Sequence, residues 1–202
     1  MPTPSASGSI ARKYGVGSLD QKVQNKTALQ ESLGWPSEPK RPVLCFPAGM
    51  TDALGGALLQ DVLPGILSLP VEVLVLGRGS STYGALFTKL AKENRHRLHI
   101  VTDKEDDVQT MYAAADMALF LSNTLPAKEI AQCLQYGVIP VSPAQNLLED
   151  YDPVQEAGNA FIYGPVGKWQ CFAALVRACE THKFPFDWRT IQRHAMESVR
   201  EK

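Results

Sequence analysis

The segment Gly77-Arg78-Gly79-Ser80 is the strongest candidate for chemistry in the sequence. It follows a short apolar run and precedes a helix-like segment, which predicts a strand-to-helix loop. Glycines in such a loop let the backbone approach a phosphate, whose charge meets the N–H donors of the helix. The spacing is not a full dinucleotide fingerprint, because Gly84 comes five residues after Gly79 instead of three. Gly77, Gly79 and Ser80 are therefore candidate phosphate contacts, although a tight turn that needs glycine explains them equally well.

A second set of glycines, Gly49, Gly55 and Gly56, brackets an earlier predicted strand-to-helix turn. No Lys or Arg lies between Arg41 and Arg78, so a pyrophosphate bound there would lack charge-assisted contacts from this segment. The missing charge favours a plain structural turn. Gly49 and Gly55 remain weaker candidates for binding.

Acidic pairs and tryptophans are weaker candidates for a functional site than the glycine loops. Asp106-Asp107 and Glu149-Asp150 stand in no recognisable acid/base frame, and a helix start and a solvated loop explain them better. Three tryptophans could stack on sugars, but single aromatic residues are more often packing anchors. These tryptophans are Trp35, Trp169 and Trp188.

The cysteines and histidines show no spacing typical of metal ligands. Each cysteine lies in an apolar stretch where a small buried side chain would serve. We therefore predict reduced core thiols, no structural metal, no cofactor and no catalytic residue among them. The residues concerned are Cys45, Cys133, Cys171, Cys179, His96, His99, His182 and His194.

Composition bounds the class of protein. The chain has 202 residues, 45% of them hydrophobic, and a formal net charge of -1. That length and apolar content suffice for one folded domain, whereas the balanced charge gives no long-range field to collect nucleic acid or an anionic membrane. No apolar run approaches the roughly 20 residues of a membrane-spanning helix. The first ten residues have no signal-peptide pattern, and we expect them to be exposed and disordered.

Short apolar runs alternate with helix-like segments along most of the chain. Continuous apolar strands without polar alternation indicate a parallel sheet covered on both faces. The sequence therefore predicts an α/β fold, a Rossmann-like doubly wound parallel sheet, in which ligands bind beyond the carboxyl ends of the strands. We predict an N-terminal extended segment at 1–18 and a single domain at 19–202. The predicted strands are Val43–Phe46, Val71–Leu76, His99–Val101, Met117–Leu121, Val138–Val141 and Ala160–Tyr163, and the predicted helices include Asp20–Leu33, Ala85–Asn94, Asp106–Ala115 and Pro126–Tyr136.

Several segments together resemble the C-terminal domain of bacterial glycogen synthases and plant starch synthases. Lys22-x3-Lys26-x2-Leu29-Gln30-x2-Leu33-Gly34 resembles the opening KxxNKxxLQxxLGL of that domain. Val71–Gly79 is similar to its VQLVxLGxG segment, and Trp188–Met196 to its WxxLQxxAM. Further matches are Gly55-x2-Leu58-Leu59-x3-Leu63-Pro64, Tyr112-Ala113-x-Ala115-Asp116 and Tyr136-Gly137-x2-Pro140-Val141.

The resemblance runs in order from about Ile10 to Met196. It implies the C-terminal half of a GT-B glycosyltransferase, the half that holds ADP-glucose or UDP-glucose. In such enzymes an N-terminal domain binds the acceptor α-glucan and completes the cleft, so the resemblance also implies such a partner domain. A cytoplasmic location is expected, or a plastid for a chain from a plant or alga.

Donor contacts of the family depart from its pattern in this chain. Gly49 and Leu54 stand where synthases carry an Arg and a Lys for the diphosphate. The loop Ser122–Glu129, which includes Thr124 as a further candidate contact, is one residue shorter than the family's SRFEPCGLTQ and lacks its carboxylate. Asp103 stands near the place of the base-packing Tyr, and Gln145-Asn146 replaces a Gly-Gly pair. These departures imply degenerate catalytic motifs, with no catalytic residue retained.

Two hypotheses follow. The chain is a nucleotide-sugar donor domain without synthase activity of its own, with weak ADP-glucose or UDP-glucose affinity through Gly77, Gly79, Ser80, Gly49, Gly55 and Thr124. Alternatively, it is a non-catalytic pseudoenzyme module that binds glucan or a protein partner. A donor of different chemistry, read by altered side chains, is a third and weaker idea.

Overall fold

A computed structural model describes residues 3–124 and 126–199. A six-stranded sheet lies at its centre, with strand order β3-β2-β1-β4-β5-β6 and every neighbouring pair parallel. The strands are β1 Val43–Phe46, β2 Glu72–Leu76, β3 Leu98–Val101, β4 Met117–Leu119, β5 Ile139–Pro143 and β6 Phe161–Tyr163. This is the predicted α/β, Rossmann-like doubly wound fold.

Helices cover both faces of the sheet. After a 3-10 helix at Val16–Gln21, they are α1 Lys22–Ser32, α2 Gly56–Ser68, α3 Ser81–Glu93, α4 Glu105–Ala114, α5 Ala127–Gln135, α6 Lys168–His182 and α7 Pro185–Ser198. Helix α2 packs against α6, whereas α1 packs against α4 and α5 against α7. Right-handed crossovers are the rule in such sheets and would give this division, because the chain moves outward from β1 to β3 and then returns to β4 and continues the other way.

The topological switch point of the sheet lies between β1 and β4. These two strands are hydrogen-bonded neighbours, although two further strands separate them along the chain. All residues of β1, β2, β4 and β5 are buried, as the unbroken apolar runs predicted. In folds of this class the crevice beyond the carboxyl ends of the strands at the switch point is the usual ligand site.

The predicted elements agree closely with the observed ones, and β1 has the predicted bounds. The main differences lie at helix starts. Helix α3 begins at Ser81, four residues before the predicted Ala85, so the glycine loop is shorter than expected. The segment predicted as one helix from Asp20 divides into the 3-10 helix and α1.

The expectation of an exposed N-terminus is wrong for several of the described residues, although Ser5, Ala6 and Gly8 are exposed. Ser7 and Ile10 are buried, and the Ser7 hydroxyl donates a hydrogen bond to the Gln109 side chain on α4. Tyr14 is also buried and donates to the carbonyl of Tyr136 over 2.9 Å. Short polar side chains can thus secure a segment that has little apolar content. Met1 and Pro2 lie outside the described residues, and the division at residue 18 stays a prediction.

Over residues 3–124 and 126–199, no helix has the length and apolar content needed to cross a membrane.

Candidate functional site

The first glycine turn and the Gly77–Ser80 loop lie side by side at the carboxyl edge of the sheet. The Met50 N–H donates to the Arg78 carbonyl over 3.2 Å, and the Ser80 N–H donates to the Met50 carbonyl over 3.1 Å. Met50 and Gly79 therefore form a parallel bridge that extends the β1–β2 pairing beyond the strands. One of the N–H groups proposed for phosphate is consequently used inside the protein.

Three glycines in these loops are required by backbone packing. Gly49 has a φ of 69°, and a Cβ there would overlap the Arg78 carbonyl. Gly79 has a φ of 121°, and its Cβ would overlap the Met50 carbonyl. Gly55, with a φ of 94°, approaches the backbone of Leu121 beyond β4 in the same way. The structural explanation of these glycines therefore holds, whether or not a phosphate also binds.

Little free space is present at the switch point itself. A cavity of about 10 Å³ lies there, lined among others by Gly49, Leu54, Leu121 and Thr124. One water molecule needs roughly 10–15 Å³ by this kind of measure. In this conformation the cavity cannot hold the diphosphate of a sugar nucleotide.

Arg78 is a further candidate for the site, beyond the contact residues that the sequence predicts. Its guanidinium forms a forked pair with Asp103, with N–O distances of 2.6 and 3.1 Å, and lies 3.4 Å from a Glu129 oxygen. Hydrogen bonding to Arg78 lowers the pKa of Asp103, and the same bond raises the pKa of Arg78. The signal in the sequence was a cation after β2 and a carboxylate after β3, since adjacent parallel strands end at the same edge.

A larger cavity, about 380 Å³, lies beside this ion pair. Pro47, Leu76 and Tyr112 supply apolar surface. Two cations, Arg78 and Lys128, line it together with three carboxylates, Asp103, Glu105 and Glu129. Apolar walls with a few convergent charged groups are typical of small-molecule sites of this size. We refer to this space as the carboxyl-edge cavity.

The structure does not bring the six predicted contact residues into one site. Gly49 and Thr124 line the small switch-point cavity, whereas Gly77, Gly79 and Ser80 line a separate cavity of about 430 Å³ together with Tyr83 and Phe87. Gly55 lies against the end of β4. Whether any of the six contacts a ligand stays a prediction.

The other residues that the sequence suggested for a site are now described by their partners and positions in the fold. Asp106 and Asp107 lie in the first turn of α4, and Asp150 is paired with Arg177. Trp35 is buried and donates to the Arg95 carbonyl over 2.8 Å, whereas Trp169 is 72% exposed. All four cysteines are free and buried, and within residues 3–124 and 126–199 no three His, Cys, Asp or Glu residues are grouped as metal ligands.

The polar residues of the synthase-like motifs meet at the opposite, amino edge of the sheet. Asp116, just before β4, lies 2.6 Å from the Lys26 ammonium and accepts the Val43 N–H over 2.8 Å. His182 lies 3.5 Å from its other oxygen. Lys22 donates to the carbonyls of Tyr112 and Ala113, each over 2.9 Å. These contacts therefore join α1, β1 and α6 to the start of β4, at the edge opposite the glycine loops.

Comparison with known proteins identifies relatives of this chain. The chain matches no protein-family model. Glycogen synthase 1 of Synechocystis sp. is 29% identical to it over 196 residues, which are 94% of this chain and 41% of that protein. Glycogen synthase of Streptococcus equi subsp. equi is 30% identical over 200 residues, 96% of this chain and 42% of that protein. The chain thus spans less than half the length of these relatives.

Among solved structures, the catalytic domain of starch synthase IV from Arabidopsis thaliana, bound to ADP and acarbose, has a TM-score of 0.78 at 20% identity. The likeness covers 96% of this chain and 42% of that one. At this identity the likeness shows the fold, whereas the sequence matches show the relationship. The chain is therefore homologous to the C-terminal part of glycogen synthases and has the fold of the corresponding half of a GT-B glycosyltransferase.

Proposed function

We propose that this chain is a nucleotide-sugar donor domain of a glycogen synthase-like protein that has lost synthase activity of its own and retains weak affinity for ADP-glucose or UDP-glucose. Two considerations support the binding half of this proposal. Its homologues are glycogen synthases, and the solved starch synthase with the same fold carries ADP. The carboxyl-edge cavity lies where ligands of such sheets bind.

The observation that carries the proposal is the ion pair between Arg78 and Asp103, which lies beside a switch point with little free space. With Gly49 and Leu54 in the first turn, Arg78 and Lys128 are the cations that line the carboxyl-edge cavity. A diphosphate entering it would have to compete with the Asp103 carboxylate for the guanidinium. Weak binding follows, because a charge-assisted contact must be broken before its replacement forms.

The same geometry supports the absence of turnover. Position 49 has no room for the arginine of the family, since its backbone is left-handed and its Cβ would overlap a carbonyl. Glu129, the acid in the first turn of α5, faces Arg78 at 3.4 Å. Removing one preorganised contact to developing charge typically slows an enzyme about 100- to 1,000-fold. Several such contacts differ here, so we expect no measurable glucosyl transfer by this chain.

Binding can be measured by calorimetric titration with ADP, UDP and ADP-glucose. We expect millimolar dissociation constants for the chain, and up to about fivefold tighter binding for Asp103→Asn, because release of Arg78 from an exposed ionic partner gains at most about 1 kcal/mol. Asp61→Asn, at an exposed position on α2, is the matched control and should bind like the parent chain. Micromolar binding with glucosyl transfer to glycogen would refute the loss of activity, and silence of both proteins would refute donor binding.

The second candidate is the non-catalytic module that binds α-glucan. Trp169 favours it, because its indole is 72% exposed at the start of α6, with the Lys168 ammonium 5.0 Å from the ring centroid. Large exposed aromatic rings on a folded protein often mark a binding surface.

The proposal also includes a second domain or a protein partner that binds at the carboxyl edge. It places the protein in the cytoplasm, or in a plastid if the source is a plant or alga.

Native gel electrophoresis in glycogen-containing gels tests the glucan candidate. If the chain binds glucan through this surface, glycogen should retard it, and Trp169→Ala should remove most of the retardation. Phe186→Ala changes an equally exposed ring, 70% accessible, at the start of α7 and serves as the control. Equal mobility with and without glycogen would exclude this candidate.

A further inference from the structure

The amino edge of the sheet holds a cavity that the donor function does not use. It has a volume of about 420 Å³ and lies between α1, α7 and the segment before β1. Its floor includes Lys26 and Asp116, and Trp188 forms part of its wall. It is as large as the carboxyl-edge cavity and lies at the other end of the strands. We refer to it as the amino-edge cavity.

Charge around the amino-edge cavity is strongly unbalanced. Five lysine and arginine side chains line it, against two carboxylates. The Lys26 ammonium is neutralised by Asp116 at 2.6 Å. Lys40 and Arg189 are exposed at the rim and form no hydrogen bond or ion pair with any residue in 3–124 or 126–199. Two cations are thus free to bind an anion.

The wall of the cavity contains an unused donor. Trp188 is 95% buried, with an exposed fraction of 5%, and its indole N–H finds no hydrogen-bond partner within the described part of the chain. Leaving a buried donor unpaired typically costs about 1–3 kcal/mol. Trp35, by contrast, pairs its buried indole N–H with a carbonyl. The Trp188 N–H itself is closed off from solvent, so the indole ring lines the cavity without presenting this donor to it.

The retained synthase-like motifs converge on this cavity. Lys22 and Lys26 come from the first motif, Asp116 from the middle one, and Trp188 and Gln192 from the last, and all five line it. The positions that changed lie at the carboxyl edge. Hydrogen bonds or ion pairs within the protein occupy Lys22, Lys26, Asp116 and Gln192. Arg189 forms neither with any residue in 3–124 or 126–199.

From the free rim cations, the excess of cations over carboxylates and the size of the space, we infer that the amino-edge cavity binds a small, multiply charged organic anion, either a phosphate ester or a polycarboxylate. The ligand would pair with Arg189 and Lys40 beside the indole ring of Trp188. Charge-assisted contacts of this kind are the strong ones in such sites. A volume of 420 Å³ is within the usual range for small-molecule pockets.

The test follows the three indole N–H signals of the chain by NMR, assigned with single Trp→Phe variants, while inorganic phosphate or citrate is added at constant ionic strength. We expect a saturable shift of the Trp188 signal with at least one of the two anions, and no saturable shift of the Trp35 signal. The anion that saturates at the lower concentration identifies the class, and neutral glucose should leave the Trp188 signal unchanged.

The variant Lys40→Gln/Arg189→Gln should weaken this binding about tenfold or more, because it removes both free cations. Lys89→Gln/Lys92→Gln, on exposed positions of α3, keeps the same net charge as that variant and should bind like the parent chain. A Trp188 signal that moves only linearly with both anions, or that moves equally in the two double variants, would overturn the inference.

Discussion

Asp116 shows how one buried residue can organise several elements. It satisfies the first N–H of β1, neutralises Lys26 on α1 and lies beside His182 at the end of α6. Burial alone would raise the pKa of Asp116, but the charges of Lys26 and His182 outweigh it, and the pKa lies well below its usual range. A buried carboxylate with several partners is stable only while all of them are present.

Lys26→Met should therefore destabilise the fold strongly. It leaves the Asp116 carboxylate buried without its ammonium partner, which typically costs about 3–5 kcal/mol. Chemical denaturation gives the free energy of unfolding. Lys89→Met, whose side chain is 74% exposed, is the control and should change that free energy by less than about 0.5 kcal/mol. A loss below about 1 kcal/mol for Lys26→Met would show that the pair contributes little.

Acid should weaken the protein through the same residue. Because the folded pKa of Asp116 is depressed, its contribution is complete above the unfolded value, about 3.9, and is lost as the pH falls toward the folded pKa. The free energy of unfolding should thus fall below about pH 4 in the parent chain. In Asp116→Asn the fall should be shallower, from a lower starting stability. Identical slopes in the two proteins between pH 5 and pH 2, roughly the range in which such a group titrates, would contradict this assignment.

At the scale of elements, the loops after β1 and β2 form one unit. The Met50 backbone bridges to Gly79 and Ser80, and the glycines at 49 and 79 make this close approach possible. The Arg78 carbonyl is held by the same contact, and its side chain reaches the loop after β3. Three successive strand ends are thereby linked, which fixes the wall of the carboxyl-edge cavity.

Gly79→Ala should separate these loops. The left-handed backbone and the overlap of the new Cβ with the Met50 carbonyl together should cost at least about 2 kcal/mol of stability. Gly84→Ala makes the same change inside α3, where no atom lies within 4 Å of the new Cβ, and should stabilise by about 0.5–1 kcal/mol. Thermal unfolding compares the two. Equal midpoints would mean that the loop contact is dispensable.

At the largest scale, the Asp116 cluster and the Arg78–Asp103 pair lie at opposite edges of one apolar sheet. The interior between them contains all four thiols, and burial raises the pKa of Cys45 and of Cys179 to about 12 and that of Cys171 to about 11. For Cys133, burial also raises the pKa well above its usual value. Protonated thiols in a closed core are poor nucleophiles.

Thiol reactivity should therefore report on global unfolding. With Ellman's reagent at neutral pH, we expect no reaction of the native chain on the timescale of minutes and release of four equivalents in denaturant. The high pKa values of the thiols and their burial both predict that the native protein reacts slowly. One or more equivalents released rapidly from the native protein would show that part of the core opens readily.

The alternation of strands and helices, the parallel doubly wound sheet and the relationship to glycogen synthases could all be predicted from the amino-acid sequence. Apolar runs such as Val43–Phe46 specify strands buried on both faces, and the motif spacing extends over nearly the whole chain. These are local or collinear properties, so they can be read along the chain.

Which polar residues face one another became clear from the three-dimensional fold. The Arg78–Asp103 pair joins residues 25 positions apart, and the Asp116 cluster joins residues from 26 to 182. The sequence also could not tell that Ser7 is buried, that Trp169 is exposed, or that the glycine loops pack on each other. Distances across strand ends depend on the order of strands in the sheet and on side-chain direction, and neither is encoded in the spacing along the chain.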